Sequence, residues 1–186
     1  MSDGSFPRLV SLACHDLRTP LATVFGFART LTRAGGLDER SGRFVAMIEE
    51  ASEQMTLLLD ELGTAARIES GRWEPALQRA DTLELAQSAD ERVAVEGAGD
   101  SIETDPATLK RSLAALATAA IRHGPVEQVT WRVDGRLLAL APVTAAAAPV
   151  VTGDDPKDLG ALVARIVVEA LGGGLELDDE TLRVSL

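Results

Sequence analysis

The chain has a single cysteine, Cys14, and only two histidines among its 186 residues. One thiol excludes an intrachain disulfide, and so few sulfur and imidazole ligands cannot form a zinc site without several carboxylates. Tyrosine is absent and aromatic residues make up 3% of the chain, so a hydrophobic core has to be built from alanine, leucine and valine. We interpret Cys14 as a small apolar helix residue rather than a redox centre.

Long apolar runs and a surplus of basic residues are lacking as well. No stretch approaches the roughly 20 apolar residues that a membrane-spanning helix needs, and residues 1–7 have no apolar signal-peptide core. The formal net charge is −11, whereas nucleic-acid binding needs clustered lysine and arginine. We therefore expect a cytoplasmic protein that binds neither membranes nor nucleic acids.

What the sequence does contain, in its first part, is two long segments with helical periodicity. The first begins at Ser5, a capping residue, and ends at Gly35 and Gly36. The second begins after Asp38 and ends before Gly71. Its apolar residues have a nearly heptad spacing, which is typical of a bundle seam, and are Phe44, Ile48, Ala51, Met55, Leu58, Leu62 and Ala65.

The short connection between these helices predicts an antiparallel hairpin. Two helices alone cannot enclose a core, but a second copy of the hairpin would complete a four-helix bundle. We therefore predict a homodimer that forms through residues 7–70, within a helical domain that spans residues 1–72.

From Trp73 onward, shorter segments predict a second domain over residues 73–186. Asp-Pro at 105–106 starts a helix, Asp-Gly at 134–135 forms a hairpin turn, and residues 97–100 form a turn between two short strands. The fold class is α+β, with helices on one face of a sheet. The predicted helices are 81–89, 105–123 and 158–171, and the predicted strands are 92–96, 101–104, 126–133, 137–141, 175–177 and 182–186.

Residues 15–21 of the first helix read His-Asp-Leu-Arg-Thr-Pro-Leu. Helical spacing places His15 and Thr19 on one face, with Arg18 beside them and Asp16 within reach of the imidazole. This segment resembles the H-box of sensor histidine kinases, in which histidine, an acid, leucine, arginine, threonine, proline and leucine follow one another. All seven positions match.

The resemblance implies a phosphoacceptor site. His15 would carry a phosphoryl group on one imidazole nitrogen, and Asp16 would hold the other ring N–H and stabilise the positive charge that develops. Arg18 would either offset phosphate charge or pair with a nearby acid.

The same resemblance implies a receiver domain as the partner that brings its own aspartate and magnesium ion. Thr19 would orient a water for dephosphorylation of the receiver, or its hydroxyl would bond to its own helix backbone. The receiver would dock one or two turns below His15, where Ala22 and Gly26 leave room for a partner helix.

Residues 73–186 resemble the ATP-binding domain of histidine kinases with its polar residues removed. In that family, two asparagines four residues apart hold magnesium and phosphates, but the matching positions here are Ala115 and Ala119, and the whole chain contains no asparagine. An adenine-reading aspartate and its glycines are missing from residues 140–148. Only Gly160 remains of the second glycine box, and Asp158 would repel a triphosphate. We therefore predict a degenerate domain that has lost ATP and magnesium.

These observations predict a phosphotransfer protein of a two-component or phosphorelay pathway, similar to dimeric histidine phosphotransferases. It would exchange a phosphoryl group between His15 and a receiver aspartate, with an upstream histidine kinase as a further partner. Two alternatives are an ATP-dependent sensor histidine kinase with a divergent site, and a non-catalytic dimeric scaffold or a receiver phosphatase or inhibitor. His123 is interpreted as a structural residue at a helix end.

Overall fold

The computed structural model describes residues 5–186, with side chains from Phe6 onward, and the chain divides into two compact units between Arg72 and Trp73. Residues 1–4 of the segment searched for a signal peptide, and the side chain of the capping residue Ser5, lie outside the described residues.

The first unit is a hairpin of two helices, α1 (Ser5–Ala34) and α2 (Glu39–Glu69). Gly35 and Gly36 follow α1 with φ angles of 69° and 76°, a left-handed conformation that glycine adopts at little cost and that ends the helix. Asp38 caps α2, since its side chain accepts a hydrogen bond of 2.8 Å from the Ser41 amide. Both predicted helices are confirmed, and α1 continues through Pro20.

Small side chains form the contact between the two helices of the hairpin. Cys14 and Ala28 are the buried apolar residues of α1, at 2% and 3% exposure. The buried residues of α2 are Val45, Ser52, Gly63, Thr64 and Ala66. The predicted heptad stripe of α2 is largely left uncovered by this contact: Phe44, Met55 and Leu58 are about half exposed. The hairpin therefore leaves its most regular apolar stripe uncovered.

The second unit is a mixed sheet covered by helices. A five-stranded sheet has the order β2-β4-β5-β7-β6, with β2 and β4 parallel and the other neighbours antiparallel, and β1 pairs with β3 apart from it. The elements are β1 (Gln78–Asp81), α3 (Thr82–Ala86), β2 (Val93–Gly99), β3 (Ser101–Thr104), α4 (Pro106–His123), β4 (Val129–Gly135), β5 (Leu137–Ala141), α5 (Ala148–Val151), α6 (Leu159–Ala170), β6 (Gly174–Asp178) and β7 (Thr181–Ser185).

One face of the sheet forms a core with α4 and α6. Val129, Trp131 and Val133 alternate along β4 as buried residues, whereas Arg132 between them is exposed. Leu113 of α4 and Val168 of α6 are fully buried in the same cluster. This period-two alternation under helices confirms the predicted α+β fold class.

The structure differs from the prediction at two strands. The predicted turn at 97–100 is wrong, because β2 continues through Gly97 to Gly99 in a parallel pair with β4. Gly97 has a φ of 111°, and a Cβ there would overlap the carbonyl oxygen of Val133, so this glycine permits a close approach between strands rather than a turn. Strand β1 was not predicted, since four residues without alternating burial give no strand signal.

Candidate functional site

His15 projects from the third turn of α1 and is highly exposed. Its side chain is 78% accessible, and its Nδ1 lies 3.1 Å from Oδ1 of Asp16. An ionised carboxylate can only accept a hydrogen bond, so Nδ1 carries the proton that it donates to Asp16. In the neutral ring, Nε2 then holds the free lone pair. The contact with Asp16 thus favours the tautomer in which the distal nitrogen, Nε2, holds the lone pair that a nucleophile needs.

The structure places the other predicted surface residues along the same side of α1. Thr19, Ala22 and Gly26 follow His15 at intervals of four, three and four residues, and all four residues are exposed. A Cβ built on Gly26 would meet no atom within 4 Å. These residues therefore form a smooth exposed stripe next to the imidazole.

The Thr19 hydroxyl differs from those of other threonines in α1. The hydroxyls of Thr23 and Thr30 donate to carbonyl oxygens four residues earlier, at 3.1 Å and 2.7 Å. Among the described residues, the Thr19 hydroxyl has no hydrogen-bond partner. Of the two roles considered for Thr19, bonding to its own backbone is absent, which leaves the hydroxyl available to a water or a ligand.

Arg18 pairs with an acid on the opposite helix. Its Nη2 lies 2.6 Å from Oδ1 of Asp60, and both side chains are more than one-third exposed. At this exposure the pair contributes less than about 1 kcal/mol, but it aligns α2 with the His15 segment. Asp60 was missed at the sequence level, because it lies 42 residues away and only the hairpin register brings it here.

The resemblance assigns Ala115 and Ala119, both on α4 of the second unit, to the positions of the magnesium ligands. Ala119 is fully buried in the core, and Ala115 is partly buried against it. An alanine methyl group has no atom that can bind a metal or accept a hydrogen bond. The residues present therefore do not fit a magnesium-bound nucleotide at α4.

The N-terminus of α6 is also closed to a phosphate. Oδ1 of Asp158 accepts from the Ala161 amide at 3.1 Å, so the chain caps its own helix. Oδ2 accepts from Arg122 at 2.8 Å and lies 3.2 Å from Nε2 of His123. This nearly buried carboxylate occupies the helix end with its own partners, and His123 lies within this structural cluster.

The first unit matches a known protein family. Residues 8–71 match the family model described as the His Kinase A (phospho-acceptor) domain. This range contains α2, all of α1 except its first three residues, and the His15 site. The chain belongs to the histidine kinase superfamily, and its first unit is a phosphoacceptor domain of the two-component type.

Two similar proteins show how far the likeness extends. The chain is 30% identical over 207 aligned positions to sensor protein KdpD of Mycobacterium tuberculosis, which covers 92% of this chain and 24% of KdpD. It is 32% identical over 78 positions to sensor protein DivL of Caulobacter vibrioides, covering 42% of this chain and 10% of DivL. The chain thus spans a quarter or less of these curated relatives.

The crystal structure of full-length ShkA in complex with AMPPNP shares the fold. It superposes with a TM-score of 0.67 at 19% identity, covering 96% of this chain and 44% of ShkA.

Within residues 5–186, no helix is both long and apolar enough to cross a membrane.

Proposed function

We propose that the chain is a histidine phosphotransferase of a two-component or phosphorelay pathway, exchanging a phosphoryl group between His15 and the aspartate of a receiver domain. The observation that carries this proposal is the exposed imidazole whose Nδ1 is engaged by Asp16. The alanines at positions 115 and 119 favour a phosphoryl donor other than a nucleotide bound by this chain.

The transfer step follows from the tautomer of His15. The Nε2 lone pair attacks the phosphorus atom of the receiver's aspartyl phosphate. As the P–N bond forms, the P–O bond to the carboxylate breaks and the carboxylate leaves with the bonding electrons. The ring becomes positively charged and keeps its proton on Nδ1, where the Asp16 carboxylate stabilises the charge. The reverse step returns the phosphoryl group.

In this proposal the receiver supplies the aspartate and its magnesium ion. We assign Ala22 and Gly26 to receiver docking, since they form an exposed stripe of small residues beside His15. The free Thr19 hydroxyl is placed to orient a water when the receiver is dephosphorylated. Arg18 positions the site through Asp60 and lines the same cavity as His15, where its charge offsets that of the phosphate.

A homodimer completes the proposed assembly. Along α2, the exposed heptad stripe offers a seam to a second copy of the hairpin, and α1 adds the exposed Val24, Phe27 and Leu31. Val24 lies nine residues after His15, two and a half helical turns, so the two side chains leave α1 on opposite sides. A dimer formed on the apolar side therefore keeps His15 accessible to a receiver.

The test is phosphoryl transfer from phosphorylated receivers and from a phosphorylated upstream kinase. We expect wild-type protein to accept the label, His15→Ala to accept none, and the control His123→Ala to behave as wild type. Because His15 is exposed, its replacement should change the free energy of unfolding by less than about 0.5 kcal/mol. Full pathway function of His15→Ala would instead indicate a non-catalytic scaffold or inhibitor.

An ATP-dependent histidine kinase is the second candidate. The fold that the chain shares with ShkA, which was solved with AMPPNP, favours it. Incubation with labelled ATP and Mg²⁺ separates the two functions. Autophosphorylation of wild-type protein on His15 would show that the second unit binds nucleotide through residues other than positions 115 and 119.

A further inference from the structure

A basic cavity lies next to the phosphoacceptor histidine, between α1 and the C-terminal end of α2. Its volume is about 340 Å³, several times the roughly 30 Å³ that a water molecule takes in the liquid. The lining includes His15, Ser11, Gly63 and three arginines, Arg18, Arg67 and Arg72. The cavity is therefore large enough for a phosphoryl group and its bound water.

Two of the three arginines are not neutralised by an acid. Arg67 donates to the hydroxyl of Thr64 at 3.1 Å, and Arg72 donates to the hydroxyl of Ser70 at 3.1 Å. Within residues 5–186, neither arginine forms an ion pair. In a chain of net charge −11, two such guanidinium groups beside one histidine make a local site for an anion.

Gly63 lines the cavity between the guanidinium groups of Arg18 and Arg67. A Cβ built on this buried glycine would lie 3.7 Å from Nη2 of Arg18 and 3.9 Å from Nη1 of Arg67. Both guanidinium groups thus border the space that a larger side chain would fill. A dianion in this space would contact both groups at once.

Ser11 adds an unused hydrogen-bond donor to the same cavity. It lies one helical turn before His15, and its hydroxyl oxygen is buried without a hydrogen-bond partner among the described residues. Buried hydroxyls in folded proteins nearly always have a partner, because desolvation without one is unfavourable. A phosphate oxygen in the cavity would accept this hydrogen bond.

We propose that Arg67, Arg72 and Ser11 bind the phosphoryl group while His15 carries it. This inference rests on the proposed phosphotransfer function and adds the residues that retain the group between two transfers. Charge pairing with the arginines stabilises the phosphorylated form of His15 against both hydrolysis and return to the receiver aspartate. The arginines act on the phosphoryl group itself, so their loss changes the lifetime and the equilibrium of phosphohistidine.

The test loads His15 chemically, without a receiver. Phosphoramidate is the donor: Nε2 attacks phosphorus, the P–N bond of the donor breaks, and ammonia leaves. The decay of phosphohistidine is then followed by ³¹P NMR in wild type, Arg67→Gln, Arg72→Gln and the double variant. Arg67→Lys keeps the charge, and Arg33→Gln, at the far end of α1, is the matched control.

We expect each glutamine variant to shorten the phosphohistidine half-life at least threefold and the double variant at least tenfold. Arg67→Lys should restore most of the half-life, and Arg33→Gln should not change it. Equal half-lives in all variants would overturn the proposal. If phosphoramidate does not phosphorylate His15, the protein is titrated with inorganic phosphate and followed by NMR. Unchanged Nε–H resonances of Arg67 and Arg72 in that titration would equally overturn the proposal.

The two proposals fail in different ways. If receivers transfer nothing to His15 but the half-life of chemically loaded protein depends on Arg67 and Arg72, the cavity stands and the phosphotransfer function is wrong. If receivers do load His15 and the arginine variants leave both half-life and transfer equilibrium unchanged, the function stands and the cavity assignment is wrong.

Discussion

Asp105 shows how one carboxylate can join separate parts of the second unit. It precedes α4, and its two oxygens accept from the Thr108 amide and the Ala76 amide, each at 3.0 Å. Burial raises the pKa of this carboxyl, but the hydrogen bonds from Thr108 and Ala76 and the charge of Arg111 outweigh burial, so the pKa lies below its usual value. Protonation of Asp105 therefore weakens the folded state.

The sign of the resulting pH dependence is fixed by this lowered pKa. An acid with a lower pKa in the folded state stabilises the fold above its unfolded pKa, and the contribution is lost as pH falls through the folded pKa. We expect Asp105→Asn to lower the free energy of unfolding at pH 7 by about 1–2 kcal/mol, because asparagine keeps the cap but loses the charge and one acceptor. The difference from wild type should narrow towards pH 2.

Chemical denaturation followed by tryptophan fluorescence measures this effect, since Trp131 is fully buried in the core. Asp134→Asn, on an exposed position of β4, is the control and should change stability little at either pH. An equal loss at pH 7 and at pH 2 for Asp105→Asn would contradict the electrostatic explanation.

Interactions within one helical turn could be predicted from the sequence. The caps Asp38, Asp105 and Asp158 and the His15–Asp16 contact involve residues at most three positions apart, and all are present in the structure. Interactions between helices could not, because they depend on the register of the hairpin. The interactions between helices include Asp60 beside Arg18, and Arg67 and Arg72 beside His15.

At the scale of the elements, the periodicity of the apolar residues predicted the helices but not which residues pack against them. The heptad stripe of α2 predicted a seam, and the structure shows that α1 packs instead against the small residues Gly63, Thr64 and Ala66. The spacing of apolar residues shows which face of a helix is apolar, but it does not show which element packs against that face. Glycines caused the one wrong turn, since Gly97 within β2 and Gly135 at the end of β4 look alike in sequence.

The exposed stripe of α1 gives a prediction for receiver docking. Gly26→Leu extends a side chain into open space, because a Cβ there meets no atom within 4 Å. Leucine is the better helix former by roughly 0.5–1 kcal/mol, so the hairpin should be slightly more stable. We expect phosphoryl transfer from the receiver to fall at least tenfold, because the new side chain fills the docking stripe.

Gly42→Leu is the matched control for this substitution. Gly42 is also a helical glycine with open space around its Cβ position, but it lies near the start of α2. It should raise stability in the same way and leave transfer unchanged, as followed by thermal unfolding and by labelled receiver. Unchanged transfer in Gly26→Leu would place the docking surface elsewhere.

At the scale of the molecule, the two units differ in what stabilises them. The second unit has a contiguous core of its own, which includes Trp131, Leu113 and Leu140 at 0% exposure. The hairpin buries few large side chains and leaves Phe44, Ile48 and Leu58 largely accessible. Its stability should therefore depend on association with a second copy, and that of the second unit should not.

Calorimetry at several protein concentrations tests this difference. We expect two transitions, of which the one from the hairpin is stabilised by about 3 kcal/mol per dimer for each hundredfold increase in concentration. Leu58→Glu should abolish that dependence and give a monomer by sedimentation. A hairpin transition that is independent of concentration in wild type would argue against the dimer.

The burial of Cys14 gives the hairpin an intrinsic reporter of its own opening. Cys14 is 2% exposed between α1 and α2, directly beside His15, and the chain has no other sulfhydryl. Because so little of this residue is exposed, local separation of the helices should speed its reaction with a colorimetric thiol reagent. The rate at which the thiol is labelled therefore reports local opening of the helices at the site. It can be measured without any amino-acid substitution, before and after His15 is phosphorylated.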